Sequence, residues 1–356
     1  MPTSSNTTTK TKVDVVYTWV DGSDPLHIKK RLKYQKKMER GSSKSGNLQT
    51  RWGSSGELLL SIYATRRFAP WIDKIFLITD AQCPYWLTEE KLKELNIIMV
   101  DHKQIFYGLE NRLPIFNSIS IESVLFRVPD LSEKFLYLND DVLIINKTTV
   151  NNFFSHCGLP IYRGQWLVLE KKKRNWASQL IRKIKEKVKD HLRETSDSST
   201  AAQRRSAKKI GYKEKYFRFS HTPFPLLKSA FKSIMSQDDI IDRNTRFRFR
   251  NRRQFSPIAL VTHKLFSIGH AVHYDDQDQI YIEAGEISIR KIEKLKKDIT
   301  NKEYKILCLQ SLDEASVSLQ NATLEVLSSH IGVPDDLKAN LIEGVHQSAT
   351  ATPGNP

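Results

Sequence analysis

The chain has 356 residues, 39% of them hydrophobic, which is enough for a substantial core in one large domain or two smaller ones. Its formal net charge of +16 favours an anionic partner: nucleic acid, an acidic membrane surface or a phosphate-bearing ligand. Three widely spaced cysteines argue against a disulfide framework and a cysteine zinc site, and no apolar run could cross a bilayer. We therefore expect a cytoplasmic protein with at most peripheral membrane contact.

Strands and helices alternate in the first part of the chain, after a polar, disordered tail at 1–12. The run VDVVYTWV at 13–20 is typical of a buried strand, and DGSDP at 21–25 is a turn sequence. In chain order we then expect a helix to about residue 40, a helix at 57–67, a strand at 74–80, a helix at 88–95, a strand at 97–100, a helix capped by Asn117, and a strand at 134–138. This alternation predicts an α/β fold with a nucleotide-binding sheet.

The composition changes in the middle of the chain, where residues 170–215 are expected to form a basic helical insertion. Apolar residues at helical spacing predict an amphipathic helix over about 171–193, followed by a polar linker. This helix could lie solvated over the core or contact a membrane or another polyanion. A second basic run at 243–253 leads into an apolar helix at 258–268. Beyond it we expect strands near 271–274, 280–282 and 304–309, helices near 286–297 and 323–329, and a helix end with a flexible tail at 336–356.

The most informative local feature is Asn139-Asp140-Asp141, which follows the buried strand at 134–138. Adjacent carboxylates at a strand end are costly to bury unless a cation or hydrogen-bond donors neutralise them. Oxygen ligands of this kind suit Mg²⁺, and Mn²⁺ is an alternative. Plain capping or turn chemistry remains an equal explanation at this stage.

Two other aspartates invite a functional or a structural interpretation. Asp14 interrupts an apolar strand and needs a partner, for which a structural salt bridge is the commoner explanation. Asp21 could bind a nucleotide ribose or could make an Asx-turn. Residue chemistry alone does not separate these alternatives.

Several motifs follow one another along the chain: DVVYTWVDGSDP at 14–25, then Arg51, PWIDKIFLITD at 70–80, LPIFNS at 113–118 and FLYLNDDV at 135–142, and later HTPFP at 221–225 and Arg253. In these motifs the sequence resembles the Stealth family of bacterial capsule-polysaccharide phosphotransferases, which is related to the catalytic subunit of animal N-acetylglucosamine-1-phosphotransferase. The motif at 14–25 resembles the family's first region, the motifs from Arg51 to residue 142 resemble its long second region, and HTPFP with Arg253 resembles its third region.

Some positions depart from the family pattern. Ile119-Ser120 stands where the family usually has His-Ala, and Tyr63 stands where an arginine is common. In the fourth region, CLQS at 308–311 replaces a Cys-x-Asn-Asp type sequence. These departures concern the acceptor and sugar contacts more than the type of reaction.

The resemblance implies a GT-A-like, nucleotide-sugar-binding mixed sheet flanked by helices, within one catalytic domain at 13–335. It implies transfer of sugar 1-phosphate from a UDP-sugar to a glycan hydroxyl, with release of UMP. His221 would be the base and Arg253 would hold the transferring phosphate. Arg248, Arg250 and Arg252, which lie close by in the same basic run, are alternatives to Arg253. The remaining implied site residues are Asp14, Arg51, Asn139, Asp140 and Asp141 around the metal and diphosphate, and Thr18, Trp19, Val20, Asp21 and Asn117 near the nucleotide.

Several partners follow from that resemblance together with the basic charge. UDP-N-acetylglucosamine is the first donor to test, and an anionic capsule oligosaccharide is the expected acceptor. Residues 171–193 could contact the inner membrane leaflet. Trp19 could serve packing as readily as binding.

Two other interpretations stay open: a conventional glycosyltransferase that releases UDP, and a nonenzymatic polyanion-binding or nucleic-acid-binding protein. We favour the enzyme, without a nucleic-acid partner, because a binder has no need of acidic strand ends.

Overall fold

The structure is a computed structural model that describes residues 12–35, 56–169, 199–237, 239–283, 287–339 and 341. Three predicted parts lie outside these described residues: Arg51, the amphipathic helix at 171–193 and most of both tails. Within them, no helix combines the length and the apolar character that a membrane span needs.

The described part of the chain contains eleven strands in three sheets. They are β1 Val13–Thr18, β2 Ile75–Thr79, β3 Ile97–Asp101, β4 Lys134–Leu138, β5 Val142–Ile144, β6 Ile161–Val168, β7 Lys215–Phe219, β8 Phe224–Leu227, β9 Val272–Tyr274, β10 Gln279–Glu283 and β11 Ile306–Gln310. The main sheet has the order β3-β2-β1-β4-β8, in which only β8 runs antiparallel to its neighbour. The predicted mixed α/β sheet is therefore confirmed.

Both faces of the main sheet are buried, which explains why its strands are nearly continuous apolar runs. Along β1, Val15 and Tyr17 belong to one core cluster, whereas Val16 belongs to the other. The parallel register pairs Thr18 with Ile78 and Tyr17 with Leu138, so the carboxyl ends of β1, β2 and β4 meet at one edge. Polar residues that follow these strands are thereby brought together.

Helices cover the sheets in the positions that helical periodicity predicted for most of them. The described helices are α1 Pro25–Gln35, α2 Glu57–Phe68, α3 Glu89–Glu94, α4 His102–Ile105, α5 Ser118–Glu122, α6 Ser199–Ile210, α7 Lys228–Met235, α8 Ile240–Thr245, α9 Pro257–Ser267, α10 Ile289–Asp298 and α11 Val317–Ile331. Asn117 caps α5 as predicted, because its side chain accepts a hydrogen bond from the Ile119 amide. Helix α5 itself is short, and a separate 3-10 turn follows it at Leu125–Arg127.

The polar linker predicted to follow residue 193 is wrong from Ser199 onward, where the chain forms helix α6. Small side chains let this helix pack closely on α9: Ala202 and Ala207 are buried, and Ser206 Oγ donates to the Ser256 carbonyl at 2.7 Å. A polar sequence of alanine, serine and basic residues thus forms a helix because its small residues share the packed face.

Strand β5 is also missing from the sequence prediction, and it links the two halves of the chain. It begins directly after the acidic turn and pairs antiparallel with β11, which places Cys308 opposite Val142. Strand β10 then pairs parallel with β11 to complete a three-stranded sheet. Strands β7, β6 and β9 form the third sheet.

Candidate functional site

The turn between β4 and β5 carries Asn139, Asp140 and Asp141 at the carboxyl edge of the main sheet. Its backbone is held on both sides: the Asn139 carbonyl accepts from the Val142 amide at 3.2 Å, and the Asp141 carbonyl accepts from the Leu309 amide at 2.9 Å. Within the described residues, Asp141 Oδ1 is buried and has no hydrogen-bond partner. An unpartnered buried carboxylate oxygen is costly, so this atom marks a place for a ligand.

The electrostatics of the turn support that interpretation. Burial raises the pKa of Asp140 to about 6. Burial and the neighbouring Asp140 charge raise the pKa of Asp141 to about 7. Both carboxyls are therefore poorly neutralised by the protein around them, and a divalent cation would stabilise their charged forms. Paired carboxylate oxygens with one free buried acceptor fit Mg²⁺.

His221 lies beside this turn, as the sequence resemblance implies. It is located in the turn between β7 and β8, where its carbonyl accepts from Gln279 Nε2 at 2.6 Å and its ring lies 5.5 Å from the ring of Tyr281. A ring nitrogen of His221, a carboxylate oxygen of Asp141 and the sulfur of Cys308 all lie within 4.8 Å of one another. Burial, followed by the positive charge of Arg218, lowers the pKa of His221, so its imidazole is neutral at pH 7 and can accept a proton.

A pocket opens next to His221 and Asn139, and residues from both halves of the chain line it. Tyr137 from β4, residues of α5 and Arg250 line it, together with residues of α6 and of the turn before β8. The lining residues are Ser118, Ile119, Glu122, Tyr137, Asn139, Ser199, Ala202, Gln203, Phe219, Ser220, His221, Phe224, Arg250, Ser256 and Ile258.

The arginine that reaches this pocket is Arg250, and not Arg253 as predicted. Arg250 donates to Ser118 Oγ at 3.0 Å and acts electrostatically on Glu122. Arg253 is exposed and does not line the pocket, and Arg252 is likewise exposed. Arg248 donates to the carbonyls of Asn111 and Leu113 and stacks on Tyr34. From Arg246 onward the basic run is an irregular segment between α8 and α9, so strand or helix periodicity could not predict which arginine faces inward.

Glu122 is a titratable pocket residue that was not among the predicted site residues. It ends helix α5, and burial raises its pKa to about 7 although the Arg250 charge and a Ser118 hydrogen bond act in the opposite direction. The available signal was the position of Glu122 directly after Ile121, beside the predicted apolar face of the helix. A buried carboxylate requires a partner, which here is Arg250.

The residues predicted near the nucleotide occupy different positions at the same edge of the sheet. Thr18 Oγ1 lies 3.0 Å from the hydroxyl of the pocket residue Tyr137. Trp19 is half-buried and packs against the core, and Val20 is half-buried beside it. Asp21 Oδ1 accepts from the backbone amide of Ser23 at 2.8 Å, which is the Asx-turn alternative.

Asp14, another predicted site residue, lies away from the pocket. Asp14 is the second residue of β1 and pairs with Phe135 near the start of β4, so it lies at the opposite end of the sheet from Asp141. Its two oxygens accept from the backbone amides of Lys74 and Ser132, and these amides replace the salt bridge that was expected. The prediction that Asp14 joins the acidic cluster is therefore wrong.

Asn117 likewise serves the structure around it. Besides capping α5, its Nδ2 donates to Gln254 Oε1 at 2.8 Å and to Ser120 Oγ at 3.1 Å, and the side chain is buried. The structure does not bring it to the pocket. Its role is to hold the segment that carries Arg250 against α5.

Fold and site together define an α/β protein in which acidic, imidazole and guanidinium groups meet in a pocket at the carboxyl edge of a largely parallel sheet. Residues 11–39 match "Stealth protein CR1, conserved region 1", and residues 51–162 match "Stealth protein CR2, conserved region 2". The capsular polysaccharide phosphotransferase WcwK of Streptococcus pneumoniae is 30% identical over 251 residues, 67% of this chain and 74% of that protein. The chain belongs to the Stealth family.

Other similarities cover a shorter part of the chain or have a lower sequence identity. Capsular polysaccharide phosphotransferase cps1A of Actinobacillus pleuropneumoniae is 39% identical over 154 residues, 43% of this chain, and the match spans only 41% of that relative's length. Among solved structures, a galactosyltransferase LgtC in complex with donor and acceptor sugar analogs has a TM-score of 0.41 and 12% identity. That superposition covers 92% of this chain and 99% of the other.

Proposed function

We propose that the protein transfers a sugar 1-phosphate from a UDP-sugar to a glycan hydroxyl, which forms a phosphodiester and releases UMP. The observation that carries this proposal is the pocket in which His221, Arg250 and Asn139 meet beside the Asp140-Asp141 turn. Phosphoryl transfer needs a proton acceptor, a cation for the phosphoryl oxygens and a binding place for the diphosphate. Membership of a family whose relatives are named phosphotransferases supports the same reaction.

In this mechanism the acceptor hydroxyl oxygen attacks the β-phosphorus of the donor. The bond between that phosphorus and the bridging oxygen breaks, and UMP leaves with the electron pair. His221 takes the hydroxyl proton on a ring nitrogen, which its lowered pKa leaves free to accept. The half-buried position of His221 at the pocket wall suits contact with an entering hydroxyl.

Arg250 would hold the transferring phosphoryl group, because its planar guanidinium can make two parallel hydrogen bonds to phosphate oxygens. Glu122 acts on the same guanidinium from the helix side, and Ser118 accepts a hydrogen bond from it. We infer that Glu122 orients the Arg250 guanidinium toward the phosphoryl group.

Asp140 and Asp141 would hold Mg²⁺, and the buried, unpartnered Asp141 Oδ1 is the oxygen best placed for it. When bound, a divalent cation neutralises charge on the diphosphate and on the departing UMP. Mn²⁺ accepts the same oxygen ligands and would replace it. Asn139, which lines the pocket, would contact the donor beside the cation.

UDP-N-acetylglucosamine is the first donor to test, and an anionic capsule oligosaccharide is the proposed acceptor. The net charge of +16 supports an anionic polymer, since phosphodiester products are polyanions. The contact of residues 171–193 with a membrane surface stays a prediction of the sequence alone.

The test is product analysis with UDP-N-acetylglucosamine, Mg²⁺ and an oligosaccharide primer. We expect a new phosphodiester resonance in ³¹P NMR and an equal amount of UMP by chromatography, both absent in a His221→Ala control. UDP as the sole nucleotide product would instead identify a conventional glycosyltransferase. Salt-sensitive DNA binding without consumption of any UDP-sugar would identify a nonenzymatic polyanion binder.

A further inference from the structure

Asp141, His221 and Cys308 bring three different donor atoms close together beside the pocket. An oxygen, a nitrogen and a sulfur lie within 4.8 Å of one another, and Cys308 Sγ is 3.9 Å from Asp141 Oδ2. In the part of the chain that the structure describes, no other set of three histidine, cysteine or acidic residues is this close together. The three residues come from three separate segments, so their meeting is a product of the fold.

The donor set differs from the one that Mg²⁺ prefers. Magnesium binds oxygen and retains water, whereas sulfur and imidazole nitrogen favour Zn²⁺. Zinc sites with three protein ligands leave a fourth position open to a small ligand. His221 lines the pocket, so an ion bound by this trio would lie beside it.

Two of the three ligands are held firmly by the backbone around them. Cys308 is fully buried in β11 opposite β5, and the Asp141 carbonyl is bonded to the Leu309 amide. Donor atoms around tetrahedral zinc are roughly 3.5 Å apart, so the present arrangement must close by about 1 Å. Rotation of the half-buried His221 ring can supply this movement. The desolvated thiol would release its proton to solvent as the metal binds.

We propose that Asp141, His221 and Cys308 form a zinc site and that bound zinc prevents transfer. The inhibitory part rests on the proposed function, because zinc would use the His221 lone pair that accepts the hydroxyl proton. Zinc would also bind Asp141, which is one of the proposed magnesium ligands. The binding part stands on the ligand geometry alone.

Binding is tested on the full chain, without an affinity tag, after a chelator has removed bound metal. Zinc affinity is measured by calorimetry, and Co²⁺ serves as a spectroscopic probe because thiolate ligation gives a near-ultraviolet charge-transfer band. We expect Cys308→Ser to abolish the band and to lower zinc affinity at least about tenfold. Loss of a group that only hydrogen-bonds to a metal ligand already lowers metal affinity about tenfold, so loss of a ligand itself should lower it at least as much. Cys157→Ser, a change at an exposed cysteine, is the matched control and should retain both signals.

Folding of each variant is checked by circular dichroism and thermal melting. If Cys308→Ser does not fold, His221→Ala provides the second ligand variant, because a half-buried side chain tolerates truncation better. It should lower zinc affinity to a similar extent. Equal zinc binding by the wild type and both ligand variants, or no charge-transfer band in the wild type, would overturn the inference.

Inhibition is tested separately by adding zinc to a magnesium-supported reaction and measuring UMP. Wild type and Cys157→Ser should lose turnover together, while Cys308→Ser should need at least about tenfold more zinc for the same loss. Zinc binding that leaves turnover intact refutes the inhibitory part. A wild type that releases no UMP even without zinc contradicts the proposed function, and leaves the cobalt and calorimetric result to decide the site.

Discussion

Asp14 and Asp141 are carboxylates at opposite ends of the same sheet, and their surroundings differ in one decisive respect. Each oxygen of Asp14 accepts a hydrogen bond from a backbone amide, at 3.1 Å and 2.7 Å. Asp141 Oδ1 has no such partner among the described residues, and the neighbouring Asp140 adds a like charge. A carboxylate that the backbone satisfies stabilises the fold, whereas one left unsatisfied is available to a ligand.

The sharpest test of this contrast is Asp141→Asn. We expect the rate of UMP release to fall on the order of a hundredfold, the scale of losing one electrostatic contact to a transition state. Thermal stability without metal should stay equal or rise, because one buried like charge is removed. Mg²⁺ should raise the melting temperature of the wild type only. A variant that melts early yet retains its turnover would reverse the roles assigned to the two aspartates.

Asp14→Ala should give the opposite pattern. Two buried amides lose their acceptor, so we expect the free energy of unfolding to fall by about 3 kcal/mol in chemical denaturation. Turnover per folded molecule should remain near that of the wild type at low temperature. Asp335→Ala, which removes an exposed ion pair with Lys338, is the control and should change stability little. Equal losses of stability in Asp14→Ala and Asp335→Ala would mean that the Asp14 hydrogen bonds stabilise the fold no more than an exposed ion pair does.

The arginines offer a similar comparison between a pocket residue and its exposed neighbour. Arg250→Lys should lower kcat/KM about tenfold, because an ammonium cannot reproduce a paired guanidinium contact to phosphate. Arg253→Lys should stay close to the wild type, since Arg253 is exposed outside the pocket. Steady-state kinetics with the same donor measures both. The opposite ranking would restore the assignment of Arg253 from the sequence resemblance.

Glu122 extends the comparison to a third carboxylate. Its folded pKa of about 7 lies above its ordinary value, so ionisation opposes folding as the pH rises from about 4.5 to 7. Glu122→Gln removes this term, and its stability relative to the wild type should therefore increase over that interval. Denaturation curves at several pH values measure the difference. A constant difference across the interval would show that Glu122 titrates as an exposed carboxyl does.

The sequence predicted the parts of the fold and site that depend on local pattern. The apolar run of β1, the strand before Asn139 and the cap at Asn117 are all features within a few residues. The family resemblance assigned Asp14 to the site, and the type of a strand residue does not reveal its hydrogen-bond partners. The amides of Lys74 and Ser132 become its partners only when three segments come together.

The remaining features depend on contacts between distant segments. Cys308 reaches Asp141 through pairing of β11 with β5, across 167 residues of sequence. Arg250 lies in an irregular loop, where neither period 2 nor period 3.6 fixes the direction of a side chain. Helix α6 was not predicted, because its small and polar residues resemble a linker. The helix packs against α9, and the local sequence does not show this contact.

The pairing of β5 with β11 also bears on how the protein is made. Strands β1 to β4 lie within the first 138 residues and can pair while the chain is still being synthesised, whereas β11 ends at Gln310. The acidic turn therefore gains its neighbour Cys308 only after 167 further residues have been added. The surroundings of Asp141 should accordingly be completed after β1 to β4 have paired.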